Sequence, residues 1–61
     1  MNAEEWNNTY PLGQPIYLTE DDDSTTATQT RSKAWDLGNG QPVVLVTGRR
    51  GGYSLDRIKA R

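Results

Sequence analysis

The chain has 61 residues, an apolar fraction of 33%, a formal net charge of −1, and neither Cys nor His. That length allows one domain with a thin core, and the composition excludes disulfides and the common zinc sites as sources of stability. It also removes the usual general base and thiolate nucleophile, so a non-enzymatic role without a metal or cofactor is expected.

Residues 1–9 predict a short helical appendage to a β-rich domain spanning residues 10–61. Asn2 is a good N-cap, Glu5 stands three residues later as in a capping box, and Glu4 and Glu5 lie where the helix dipole favours acids. A helix this short needs an anchor, and Trp6 is the candidate. Tyr10 to Pro15 follows as a turn, because Pro11 and Pro15 around Gly13 forbid a regular helix or a central strand.

Ile16-Tyr17-Leu18-Thr19 alternates with the period of a half-buried strand. Glu20 to Ser24 ends it as a solvated acidic loop, and Thr25 to Arg31 has the β-propensity of an exposed or edge strand. Ser32 to Gly40 reads two ways. One continues the strand through Trp35. The other, preferred here, caps a helical turn over Lys33 to Leu37 with Ser32 and stops it at Gly38.

Val43-Val44-Leu45-Val46 is the strongest strand signal and is apolar on both faces. In so small a domain those faces must be covered by a curled sheet or by a second copy of the chain. Thr47 to Gly52 is a glycine-flanked hairpin tip carrying Arg49 and Arg50. Tyr53 and Leu55 resume the alternation, and Ser54 to Ile58 has room for a 3₁₀ turn. Short strands and close turns predict a mainly β fold, a small open barrel of four or five antiparallel strands.

Gly48-Arg49-Arg50-Gly51-Gly52-Tyr53-Ser54-Leu55-Asp56-Arg57-Ile58 resembles the end of an SH3-like barrel. In that family a glycine-bearing distal turn, a Gly-Tyr strand and a 3₁₀ turn lead into a last apolar strand. The resemblance covers about a fifth of the chain. It implies the topology and no ligand residues: Pro42-Val43 stands where the family has paired aromatics, Ser54 replaces a proline, and the N-terminal alanine-leucine-tyrosine motif is absent.

The near-neutral total charge conceals a polarity. Residues 1–30 hold Glu4, Glu5, Glu20, Asp21, Asp22 and Asp23 without a base, whereas all seven bases lie in residues 31–61 against Asp36 and Asp56. Either the basic half meets a nucleic acid or an acidic protein surface, or the halves neutralise one another in the fold. The glycines of the tip suit positive φ, but they do not account for two adjacent arginines. The tip lacks the Gly-Lys-Ser/Thr ending of a phosphate loop.

Arg31, Trp35, Arg49, Arg50, Tyr53 and Arg57 are therefore the candidate binding residues. Arginines would meet phosphate or carboxylate, and the aromatics would stack or anchor. Four consecutive acids at Glu20–Asp23 lack the spacing of a calcium loop and read as solvated. The expected partner is a protein, a second copy meeting the faces of Val43–Val46 included, with nucleic acid as the alternative. Nothing in the chain is long enough to cross a bilayer as a helix. Met1 opens no secretory signal pattern, so a cytoplasmic location is expected. The size and style suggest an accessory protein of a bacterium or its phage.

Overall fold

In the computed structural model, which describes residues 1–61, the capping box at the N-terminus is formed. The Glu5 N–H donates to Asn2 Oδ1 at 2.7 Å, and the Asn2 N–H donates back to Glu5 Oε1 at 3.0 Å. The helix α1 (Ala3–Thr9) that follows buries Ala3 and Trp6, and Trp6 stacks obliquely on Tyr10 with ring centroids 4.4 Å apart. Both buried residues belong to the same cluster as the strands. The segment expected as an appendage thus shares one hydrophobic centre with the rest.

The remaining elements are β1 (Pro15–Thr19), β2 (Thr25–Gln29), β3 (Trp35–Asp36), β4 (Pro42–Leu45), β5 (Gly52–Ser54), a 3₁₀ turn (Leu55–Arg57) and β6 (Ile58–Ala60). They form two antiparallel three-stranded sheets, ordered β2-β1-β6 and β3-β4-β5. A single bridge between Thr30 and Val46 joins them, flanked by bonds from the Arg31 N–H to the Leu45 carbonyl and from the Thr47 N–H to the Gln29 carbonyl. The fold is mainly β, and the strands do not close into a barrel.

The alternation read along β1 is observed, with Ile16 and Leu18 fully buried and Pro15, Tyr17 and Thr19 exposed. Together with Val44, Val46, Leu55, Ile58, Ala34 and the helix residues they make the core, edged by Tyr10 and Tyr53. Thr30 is the one buried polar residue, and its hydroxyl accepts from the Gly13 and Gln14 N–H groups at 3.1 Å each. That pair of bonds pins the proline-flanked turn to the sheet and leaves no orphan donor there.

Val44 and Val46 face the core, while Val43 faces the other way and is covered from outside by this chain itself. A Cβ added at Gly52 would lie 3.1 Å from the Val43 side chain and 3.4 Å from the Trp35 ring. Gly52 is therefore the gap through which these two side chains pack over the sheet. At Val43 the second face needs no second copy.

The helical turn preferred for Lys33 to Leu37 is corrected. The segment stays extended, and Trp35 and Asp36 pair with Val43 and Pro42. Unbroken pairing from the Thr30–Val46 bridge would place Lys33 opposite Val43. Trp35 stands there instead, so the chain bulges over Ser32 to Ala34. The bulge is stabilised by contacts remote in sequence. Ser32 does not cap a helix; its hydroxyl accepts from the Leu45 N–H at 3.1 Å. Asn7 clamps Ala34 from both sides, donating to its carbonyl at 2.9 Å and accepting from its N–H at 2.8 Å. Gly38 does adopt the left-handed conformation, with φ of 83°, but it turns one strand into the next.

Candidate functional site

The hairpin tip between β4 and β5 begins with a tight turn, in which the Arg49 N–H reaches back to the Val46 carbonyl and Gly48 takes a φ of 85°. Arg49 does not project freely from it. Its guanidinium is bonded to the Glu20 carboxylate, which also accepts from the Thr26 hydroxyl at 2.8 Å. The guanidinium, and then the Thr26 hydroxyl, hold the Glu20 carboxyl below its ordinary range. The same carboxylate raises Arg49.

Arg31 and Arg57 are likewise committed within the chain. Arg31 donates through Nε to the Val46 carbonyl and through Nη2 to the Arg49 carbonyl, both at 3.0 Å, and so braces the tip from beneath. Arg57 pairs with Asp21 at 2.9 Å and reaches toward the Thr19 carbonyl. Asp22 is drawn below its usual range by the Ser24 hydroxyl and N–H, which it accepts at 2.6 and 3.0 Å. One ion pair, Glu20 with Arg49, thus ties the acidic loop to the tip, and a second, Asp21 with Arg57, ties it to the 3₁₀ turn. No group of His, Cys, Asp or Glu side chains converges as a metal-ligand set.

Of the six candidate residues, Tyr53 packs half-buried against the core. Two remain uncommitted. The Arg50 side chain is exposed and has neither an ion pair nor a hydrogen bond. Trp35 keeps 40% of its surface in solvent while resting across Val43 and Gly52, two residues along from Arg50. An aromatic side chain with a rigid seat and an open face is the geometry of an anchor residue. Exposed Leu37 continues the same edge.

A second feature was not legible in the sequence. A shallow cavity of about 230 Å³ lies between α1 and β6, lined by Met1, Trp6, Tyr10, Leu55, Ile58 and Ala60, with Asp56 and Lys59 at its rim. Its lining comes from both ends of the chain, so no local pattern announces it. No family model, curated protein or solved structure matches this chain.

Proposed function

We propose that the chain is a non-enzymatic protein-binding module that meets its partner through Trp35, aided by the free Arg50 two residues before Gly52. The observation that carries this reading is the half-exposed Trp35 ring seated on Gly52 and Val43. The missing side chain at Gly52 keeps room for Val43 and for the end of the Trp35 ring, and the ring offers large contact area with little conformational entropy to lose. The order of β4, glycine-bearing tip, β5, 3₁₀ turn and β6 supports an SH3-like strand path for the module, left open between the sheets.

Nucleic-acid binding through the Arg49/Arg50 tip and the basic C-terminus is the weaker reading, because Arg49 and Arg57 pair with Glu20 and Asp21 and Arg61 bonds the Thr28 carbonyl. The test is capture of host proteins on the tagged chain, with nuclease treatment, against Trp35→Ala and Arg50→Ala. The expected result is a nuclease-resistant partner lost with Trp35→Ala and weakened with Arg50→Ala. Capture that survives both substitutions sinks this reading. So does capture that disappears with nuclease and falls by about 0.9 log unit per tenfold salt for each phosphate contact.

A further inference from the structure

The phase of the β1–β6 pairing determines which backbone groups of β6 are left over. The Arg61 N–H donates to the Pro15 carbonyl at 3.0 Å, and Tyr17 faces Lys59 in the same register. Hydrogen-bonded pairs alternate along an antiparallel ladder, so Lys59 and Arg61 point their backbone groups at β1. Those of Ile58 and Ala60 point the opposite way. The Ile58 N–H is taken by the Leu55 carbonyl. The Ile58 carbonyl and both polar groups of Ala60 therefore face outward from the last strand of the sheet, with no strand beyond them.

The cavity, lined by six apolar residues with Asp56 and Lys59, lies along that same edge. At about 230 Å³ it falls below the roughly 300–1,000 Å³ usual for small-molecule sites and is closer to the size of one side chain. The two faces of β6 differ in charge. Ile58 and Ala60 line the cavity, whereas Lys59 between them is the one base there without a partner: Arg57 is held by Asp21, and Arg61 turns back over the Tyr17 ring to donate to the Thr28 carbonyl at 2.9 Å. A strand added to this edge would place its inward side chains over Trp6 and Leu55, and its outward ones beside Lys59.

We propose that the β6 edge binds an extended peptide segment of a partner protein by strand addition, with an apolar side chain in the cavity and an acidic residue beside Lys59. A second copy of the chain is disfavoured as the occupant. Antiparallel self-pairing that keeps Ile58 and Ala60 inward can oppose Arg57, Lys59 and Arg61 only to one another, and like charges across a strand pair are destabilising. Basic residues on a short edge strand are a common guard against such pairing. Lys59, which has no partner within the chain, attracts an acidic residue next to the apolar one, and the segment's main chain would supply affinity while its side chains supply specificity.

This site is separate from Trp35, so the two readings fail independently. The experiment titrates the isotope-labelled chain with capped peptides that alternate Glu with apolar residues, the central one being Leu, Phe or Val. Amide and indole shifts should move at Leu55, Ile58, Ala60 and the Trp6 indole and leave the Trp35 indole in place. Binding should persist in Trp35→Ala. It should weaken about tenfold in Lys59→Glu, or when Lys replaces Glu in the peptide. It should vanish in Ala60→Pro, which removes an outward N–H that β1 does not use, and also with a backbone-methylated peptide, which leaves the protein untouched.

No saturable shift with any of the peptides at about 1 mM, the weak end of specific recognition, overturns the proposal. Shifts centred on Trp35 overturn it as well, as does undiminished binding of the methylated peptide. Concentration-dependent shifts at Ala60 without peptide would assign the edge to a second copy and overturn the choice of occupant.

Discussion

Trp6 and Trp35 lie on opposite sides of the molecule's economy of burial: Trp6 is 5% exposed within the core, and Trp35 is 40% exposed across the second sheet. Hydrophobicity cannot explain the difference, since the side chain is the same. Trp6 sits on a helix whose start is locked by Asn2 and Glu5, with Ala3 on the same buried face. Trp35 sits on a two-residue strand just past a bulge, where Ala34 has taken the inward position. Backbone register chose which tryptophan went inside. Asn7, one residue after Trp6, holds the backbone of Ala34, one residue before Trp35. The two environments are set by one clamp.

The comparison breaks most visibly at Trp6. Trp6→Ala is expected to lose about 3–5 kcal/mol, comparable to the entire stability of a domain this small, roughly 3–5 kcal/mol. Denaturant unfolding followed by far-UV circular dichroism should find the variant largely unfolded in water. A cooperative transition close to the wild-type midpoint would show that the helix is dispensable.

Asn7→Ala comes next, because it leaves the Ala34 N–H and carbonyl without partners in a part-buried place. The expected loss is about 2 kcal/mol. Hydrogen exchange at the Ala34 amide should accelerate more than at Val44, since the bulge is released before the core. Equal acceleration at both sites would mean that Asn7 acts through global stability alone.

Trp35→Ala should cost only about 1 kcal/mol, the usual scale for a side chain that is not fully buried. The variant should stay folded while its partner capture is lost. If its stability falls as far as that of Trp6→Ala, Trp35 is a structural residue and its exposed face carries no function.

The smallest effect belongs to the pair that ties the acidic loop to the tip. Glu20 is lowered from its ordinary 4.5 in the folded chain, so the stability it contributes is fully present above about 4.5 and is lost as pH falls through the lower folded value. Thermal midpoints of wild type and Glu20→Gln should therefore differ by a constant amount from neutral pH down to about 4.5 and converge below it. Both groups are only half-buried and remain in reach of solvent, so the gap should be small and should shrink with added salt. A gap that persists unchanged into acid would remove the ion pair as its cause.

Much of the local structure was legible because it rests on neighbours in the chain. Asn2 and Glu5 cap the helix that their spacing announces, and Ile16 and Leu18 bury the face that their alternation marks. Leu55 to Arg57 forms the 3₁₀ turn, with the Ser54 hydroxyl accepting from the Asp56 N–H. Ser32 to Leu37 was misread for the opposite reason. A capping serine followed by alanine and leucine at helical spacing is a real local preference, but Asn7 bonds the Ala34 backbone, and the Leu45 N–H takes the Ser32 hydroxyl that would have capped the turn.

The arginines were read as a group because they share a charge, and only the folded positions of Glu20, Asp21, Val46 and Thr19 separate Arg50 from the others. Composition alone determined that this chain must hold itself together by packing, without disulfides or zinc, and periodicity determined that it would do so mainly with strands. Tertiary structure decided which tryptophan is buried, which arginine is available, and where the two ends of the chain meet to form a groove. The physical reason is range. Caps and alternation act over a few residues, whereas register, ion pairing and cavity formation depend on groups that become neighbours only when the chain has folded.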